Sequence, residues 1–359
     1  EHSGKLLDRV EQQYIEMKNI LESIADGVVV ADSDRKVLMM NNAAMELFGL
    51  EKRDWSGEPV SAAVRLERIS SEIERSIAEE SVIDTEVDMR PLARKNLNLR
   101  IFPFRNQYDE IDGAVVVARD ITRLKKLEIV RTEFIESASH ELRTPVSLIR
   151  GFVETLLSGA ADDPKARIRF LDLLDKESRR LMHLTEDILA LEQAESKARR
   201  EPEVFDSIAE LNELLKLFDH RIRDKELALE KDFPENPVLL HMPPMEFSRI
   251  FTNLIDNAVK FTDKGRISVG AAIADEYAVF TVTDTGEGIA EEHLERLFER
   301  FYRVDKSRSR AKGGTGLGLS IVKHLVENNR GKVRLESALG DGSTFTVALP
   351  AYQEGPKDE

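Results

Sequence analysis

Apolar positions change their period several times along the chain. In the first segment Leu7, Val10, Tyr14, Met17, Leu21 and Ile24 fall at intervals of 3-4-3-4-3. That is the heptad rhythm of a helix packing on a second helix. Residues 1–24 read as a dimeric coiled coil, with an amphipathic helix packed on its own domain as the alternative. Over 25–120 the rhythm shortens. Gly27–Val30 reads as a strand, Asp32–Arg35 as a turn and Lys36–Met40 as the returning strand. Asn42–Phe48 reads as a short helix ended by Gly49, a residue suited to a C-terminal cap. Leu97, Leu99 and Ile101 alternate with Asn98, Arg100 and Phe102, and Ile111–Ala118 reads as a closing apolar strand. This is a small α+β domain with an antiparallel sheet.

Residues 121–200 return to the helical period. Two long stretches are separated by Gly159–Pro164 (GAADDP), a helix break. Ala138, Leu142, Pro145, Ile149, Phe152 and Leu156 form one apolar stripe, and Leu171, Leu174, Ser178, Leu181, Thr185 and Ile188 repeat at 3-4-3-4-3 on the second stretch. A lone two-helix hairpin cannot bury both stripes, so two copies are expected to pair as a homodimer through a four-helix bundle. Over 201–352, helices at 207–222, 243–260 and 317–328 mix with strands at 227–232, 266–273, 277–284, 332–337 and 343–349. That pattern predicts a two-layer α/β sandwich. Residues 353–359 read as a frayed tail and Lys197–Pro202 as a hinge. The whole is a multidomain α+β chain.

Composition narrows the chemistry. A length of 359 residues suits two or three domains, and 41% hydrophobic against 33% charged residues is a globular balance. The net charge of −15 argues against nucleic acid as a partner, since phosphate backbones call for clustered Lys and Arg. Zero cysteines exclude disulfides, Cys-ligated zinc, iron–sulfur clusters and a thiol nucleophile, and fit a reducing cytoplasm. No window approaches the roughly 18 apolar residues of a membrane span. The chain begins at Glu1 rather than Met. It therefore reads as cytoplasmic, or as the cytoplasmic portion of an inner-membrane protein whose spans lie upstream.

One polar cluster stands out on the first long helix. His140 lies off the apolar stripe and is expected to face solvent, with Glu141 beside it and Thr144 one turn on. Pro145 removes a backbone hydrogen bond and is expected to bend the helix just beyond. The other histidines (His2, His183, His220, His241, His293 and His324) lack such company and read as ordinary surface or packing residues.

The run Ser139–Pro145 (SHELRTP) resembles the phosphoacceptor box of bacterial sensor histidine kinases. The C-terminal part carries a matching set in family order. Asn253–Phe261 (NLIDNAVKF) resembles the asparagine box, Asp284–Ile289 (DTGEGI) the first glycine box and Phe298–Arg303 (FERFYR) the phenylalanine box. Gly314–Leu319 (GTGLGL) resembles the second glycine box and Gly340–Phe345 (GDGSTF) the last. Upstream, Ala25–Leu50 resembles the opening of a PAS sensor domain, and Asp120-Ile121-Thr122 its exit into an output helix. Two segments depart from the pattern. His241–Glu246 (HMPPME) stands where relatives carry an Asp and a more regular helix entry, and Asn328–Gly331 (NNRG) replaces a commoner His-Gly-Gly.

The resemblance implies an ATP-dependent kinase that phosphorylates its own His140 and passes the phosphoryl group to an aspartate of a response regulator. Asn253, Asn257 and Lys260 fall at i, i+4 and i+7, on one helical face, whose bland alternative is a solvated polar surface. The family's metal ligand is Asn257, which would hold Mg²⁺ through its carboxamide oxygen, with Lys260 lending charge to the ATP phosphates. Asp284 would accept the adenine amine, with Gly286, Gly288 and Ile289 beside the base and positive φ allowed at the glycines. Tyr302 and Arg303 resemble nucleotide-contacting positions, Arg303 as a phosphate donor. Gly314, Gly316, Leu317 and Gly318 open a helix whose N–H groups suit a phosphate, and Thr344 would add a hydroxyl near the base. Residues 305–313 read as a lid over ATP.

Glu141 would accept the second ring N–H of His140 and fix its tautomer. Relatives with H-E-x-x-T also act as phosphatases toward their regulators, which gives Thr144 the task of aiming a water. The alternative is that Thr144 only back-bonds its helix ahead of Pro145. Two rival functions are weaker. A scaffold with a dead kinase domain would lack Asn257, Asp284 or the glycines, and an ATPase of the gyrase or chaperone type would lack the His140 box. In the PAS-like segment the absence of His and Cys excludes His-ligated haem and flavin–cysteine chemistry. A small organic ligand, an interaction role and an empty structural domain stay open there.

Overall fold

The structure, a computed structural model, describes residues 12, 15–63, 67–90, 94–195, 201–304 and 314–352. Leu7, Val10 and Tyr14 of the heptad, most of the expected hinge, residues 305–313 and the tail lie outside the described residues. Contacts divide the chain into two units, Glu1–Glu133 and Phe134–Glu359.

In the first unit a helix over 15–23 (α1) precedes a five-stranded sheet. Its strands are β1 (Gly27–Asp32), β2 (Val37–Met40), β3 (Ile83–Asp88), β4 (Asn96–Arg105) and β5 (Ile111–Asp120), in the order β2-β1-β5-β4-β3. Every pairing is antiparallel. Helices α2 (Asn42–Phe48), α3 (Val60–Ala63) and α4 (Glu67–Ala78) supply apolar side chains to its core. Leu97, Leu99 and Ile101 point inward with period 2 and pack in one cluster with Phe48, Ile69 and Ile73. Gly49 ends α2 in the left-handed region, φ 69°, as its position suggests. The edge strand β3 was not legible: only Ile83 and Val87 of its residues are buried.

A single side chain ties this unit's entry together. Asn41 is buried; its Oδ1 accepts from the backbone N–H of Val28 at 2.8 Å and of Ala44 at 2.9 Å. Its Nδ2 donates to the carbonyls of Leu21 and Asp26, both at 3.0 Å. The end of α1, the start of β1 and the N-terminus of α2 thus share one carboxamide.

In the second unit α5 (Thr122–Thr155), which starts in the first, runs through Pro145 as one helix. The expected break begins as a π-helical turn, Leu156–Ala160, where Gly159 takes φ 109°. The chain returns along α6 (Pro164–Glu195). Next come a small two-stranded sheet, β6 (Glu203–Asp206) with β8 (Leu239–Met242), and the main sheet in the order β11-β12-β10-β9-β7. The latter comprises β7 (Ala228–Asp232), β9 (Arg266–Ala274), β10 (Tyr277–Asp284), β11 (Lys332–Ala338) and β12 (Gly342–Pro350). Only the β7–β9 pair is parallel. Helices α7 (Ser207–Asp224), α8 (Pro244–Phe261) and α10 (Gly318–Asn328) pack their apolar faces with the sheet's inward side chains; α9 (Glu291–Leu294) is a single turn.

The unusual HMPPME entry is a well-formed helix start, with Pro243 in the extended cap position and Pro244 in the first turn. From there Phe247, Ile250, Phe251, Leu254, Ile255, Ala258 and Val259 are buried, one continuous helical face. Phe247 and Phe251 tilt against each other at 4.5 Å between ring centroids, and both meet Phe280 edge-on at 5.4 and 5.1 Å, which joins α8 to β10.

Replacing Asn41 leaves buried backbone groups of three elements unpaired. Asn41→Ala is therefore expected to destabilise the first unit by about 2–4 kcal/mol in urea unfolding. Asn42→Ala, at an exposed neighbour, is expected to cost under about 1 kcal/mol. Equal effects would contradict the anchoring role.

Candidate active site

The helical hairpin and the C-terminal half of the second unit together line a cleft of about 1310 Å³. One wall is α8, whose apolar stripe faces the core and leaves Asn253, Asn257 and Lys260 toward the opening. The Asn257 side chain makes no hydrogen bond among the described residues, so its carboxamide is free to take a ligand. Asn253 Nδ2 donates to the Arg249 carbonyl at 2.9 Å. A Cβ at Gly318 would sit 2.7 Å from Asn253 Oδ1, so glycine there lets the loop from Gly314 close on this helix without displacing the Asn253 side chain. Lys260 Nζ lies 2.6 Å from Asp256 Oδ2, while Asp256 Oδ1 accepts from Arg221 at 2.7 Å.

Asp284 occupies the last inward position of β10, after Ala278, Phe280 and Val282. Period 2 thus delivers a carboxylate to the end of an apolar row. Oδ1 accepts the Gly286 N–H at 2.8 Å. Burial pushes this carboxyl up, and the N–H groups of Gly286 and Ser343 only partly oppose the rise. Gly288 adopts φ 64°, and a Cβ there would fall 1.9 Å from the Ala338 carbonyl oxygen; Gly286 does not take positive φ. Ile289 lines the cleft and donates its N–H to Ser337 Oγ at 2.9 Å.

Two expected residues are elsewhere. Thr344 does not point toward the base side. It pairs with Thr283 across β10, Oγ1 to Oγ1 at 3.1 Å, on the face opposite Asp284. Strand alternation gives the cleft position to Ser343 instead, directly across from Asp284. Leu317 is fully buried in the apolar core, so it anchors the glycine loop rather than lining the cleft.

Tyr302 lines the cleft and shares a 2.8 Å hydrogen bond with His293 Nδ1, and the Arg296 guanidinium lies 4.4 Å from its ring centroid. His293 and His183, read from sequence as ordinary, both line the cleft. Arg303 is nearly buried, and its Nη2 lies 3.2 Å from Glu141 Oε2. Arg180 Nη2 reaches the same oxygen at 3.2 Å. The acid beside His140 therefore meets the very arginine that the resemblance assigns to phosphate.

His140 is exposed on α5, as its place off the apolar stripe predicts. Thr144, one turn on, lines the cleft and donates its hydroxyl to the His140 carbonyl at 3.2 Å, the back-bond of the alternative reading. Asp187, on α6, was missed by sequence reasoning. It is half-buried among apolar neighbours and accepts from Arg249 at 2.5 Å and from the Thr315 hydroxyl at 2.7 Å. Burial raises its pKa, against the Thr315 bond and the nearby cations Arg249 and Lys260. A signal existed: Leu184, Asp187, Leu191 and Ala194 are spaced 3-4-3.

Residues 243–353 match the family of histidine kinase-, DNA gyrase B- and HSP90-like ATPases. Residues 130–197 match the His kinase A phosphoacceptor domain and residues 21–126 the PAS fold. The chain is similar to the phosphate regulon sensor protein PhoR of Pseudomonas aeruginosa, 32% identical over 97% of this chain and 75% of the relative. It is also similar to the sensor histidine kinase WalK of Bacillus subtilis, 27% identical over 96% of this chain. Of that WalK and the one of Staphylococcus aureus, the chain spans only 56% and 58% of the length. Among solved structures, the histidine kinase ThkA in complex with the response regulator protein TrrA shares the fold, with TM-score 0.51 and 24% identity over 95% of this chain and 99% of that one.

Burial of Asp284 has a measurable sign. Its carboxyl is raised above the ordinary 3.8, so the folded chain holds this proton to higher pH than the unfolded chain. The stability it contributes is full below that ordinary value and is lost as pH rises through the raised one. In nucleotide-free protein, Asp284→Asn is expected to lose less melting temperature than wild type between about pH 4 and about pH 7. Parallel pH profiles would contradict this.

Proposed function

The chain belongs to the bacterial sensor histidine kinase family, and from that membership we propose that it phosphorylates its own His140 from ATP and passes the group to an aspartate of a response regulator. The observation that carries the reading is the cleft itself. It joins Asn257, Asp284 and the glycine loop on one side to Thr144, one helical turn from the exposed His140, on the other.

Asp284, ionised, accepts the adenine amine at the floor of the cleft, and the backbone around Gly288 allows the base close approach. The loop Gly314–Gly318 offers N–H groups at the start of α10 to the phosphates. Asn257 is the residue that would hold Mg²⁺, whose charge aligns and neutralises the phosphates when bound. Lys260 and Arg303 serve the phosphates once they exchange Asp256 and Glu141 for them. One imidazole nitrogen of His140 then bonds to the γ-phosphorus as the bond to the β,γ-bridging oxygen breaks and ADP leaves. Glu141, released from Arg303, holds the other ring N–H and so fixes the tautomer. Regulator aspartate takes the phosphoryl group from the phosphohistidine.

We assign 1–24 to a signalling helix, 25–120 to a PAS-like sensor, 121–200 to the phosphoacceptor hairpin, 201–352 to the ATP-binding domain and 353–359 to a tail. Leu171, Val146 and Val153 are exposed on the hairpin, which supports a homodimeric bundle. Among the described residues no helix is long and apolar enough to cross a membrane. Thr144, aimed into the cleft region, would position water for dephosphorylation of the regulator once its back-bond is released.

Labelled ATP is expected to give acid-labile, base-stable phosphate on the wild-type chain. His140→Ala should abolish it while ATP binding persists, and Asn257→Ala should weaken Mg-dependent nucleotide binding at least about tenfold. Acid-labile phosphate persisting in His140→Ala would overturn the site. Thr144→Ala should keep autophosphorylation and sharply slow dephosphorylation of the regulator. Joint loss of both activities with thermal stability would favour the back-bonding role.

A further inference from the structure

The hairpin helix α6 carries a second stripe, distinct from the one that supports the bundle. Leu184, Leu191 and Ala194 are buried in the same apolar cluster as Leu254 and Ile321 of the ATP-binding part. Asp187 falls on that stripe, three residues after Leu184 and four before Leu191, the one carboxylate in an otherwise apolar seam. Its two oxygens take different walls of the cleft. Oδ1 holds Arg249, one turn before Asn253 on α8, and Oδ2 holds Thr315, between Gly314 and Gly316. The Asn328 side-chain amide adds a bond to the Ala194 carbonyl at the end of the seam, at a place where relatives carry a different sequence.

In this docked arrangement Arg249 and the Thr315 hydroxyl are committed to Asp187, and Arg303 to Glu141. His140 stays exposed and outside the cleft lining. The arrangement is thus one in which the nucleotide wall is held on the hairpin without addressing the phosphoacceptor.

We propose that Asp187 is a positioning residue: its simultaneous grip on Arg249 and Thr315 sets the register in which the ATP-binding part rests on the hairpin, and this grip must open before His140 is phosphorylated. The physics suits a reversible catch. Desolvating a carboxylate and a guanidinium cancels much of their attraction, so a buried pair specifies register more than it adds stability. The apolar seam supplies the adhesion and Asp187 selects which of its registers is occupied. A polar residue planted in an apolar helix seam has this effect elsewhere in helical packing.

The inference rests on His140 being the phosphoacceptor, and its test separates the two. In the full chain, the rate of acid-labile phosphate formation, affinity for a non-hydrolysable ATP analogue and amide exchange along residues 184–194 are measured together. Asp187→Ala is expected to speed phosphorylation about tenfold, the shift that loss of a modest coupling contact produces. Exchange along 184–194 should quicken and analogue affinity should hold. Asp187→Asn, which keeps a partner for Thr315 and drops the charge pair, should give a smaller rise. The charge swap Asp187→Arg with Arg249→Asp should restore slow exchange and the slow rate with analogue affinity retained. An unchanged or lower rate in both single variants, or a swap that leaves exchange fast, overturns the proposal. A wild-type chain that acquires no acid-labile phosphate would instead retire the phosphoacceptor reading.

Discussion

The packing of α8 on β10 is the constraint on which the site depends. Phe247, Phe251 and Phe280 interlock at the centre of the second unit, with Leu254 and Val282 continuing the contact. Once these faces are buried, helical and strand periods leave no choice about the rest. Asn253, Asn257 and Lys260 emerge on the open side of the helix, and Asp284 emerges at the end of the strand's inward row. Apolar burial worth roughly 1.5–3 kcal/mol per large side chain fixes polar groups that would otherwise be costly to hold.

Those polar groups are paired among themselves in a telling way. Lys260 leans on Asp256, Arg303 on Glu141 and Arg249 on Asp187. Each of these cations is balanced by a protein carboxylate, and two of the three acids belong to the hairpin rather than to the ATP-binding part. A polyanion entering the cleft competes with Asp256 for Lys260 and with Glu141 for Arg303, so nucleotide binding and the seating of the hairpin are linked through that shared arginine. Phe301 backbone at φ 59°, a costly conformation for a bulky residue, joins the phenylalanine box to the glycine loop through its bond to the Gly316 carbonyl at 2.9 Å.

Much of this was legible in the sequence because periodicity and caps are local. The seven-residue helix ending at Gly49, the break at Gly159 and the strands around Asp284 follow from spacing and turn chemistry alone. Thr344 was misplaced by one residue because a motif records residue types and not the pleat, and a shift of one in a strand reverses the face. The edge strand β3 and the four-residue strand β6 escaped because few of their residues are buried, and β8 because four residues are too short to show a period. Asp187, His293 and the Glu141–Arg303 pair join residues 62 to 162 positions apart or lie outside any motif, and only tertiary packing brings them to the cleft.

The account turns on one transfer, from a nucleotide held by Asn257, Asp284 and the glycine loop to the imidazole of His140. Localising the phosphate by tandem mass spectrometry at neutral pH, after incubation of the intact chain with ATP and Mg²⁺, tests it most directly. The account predicts phosphate on the peptide carrying His140 and on that ring. Phosphate on His183, His293 or a hydroxyl side chain, with His140 unmodified, would contradict it.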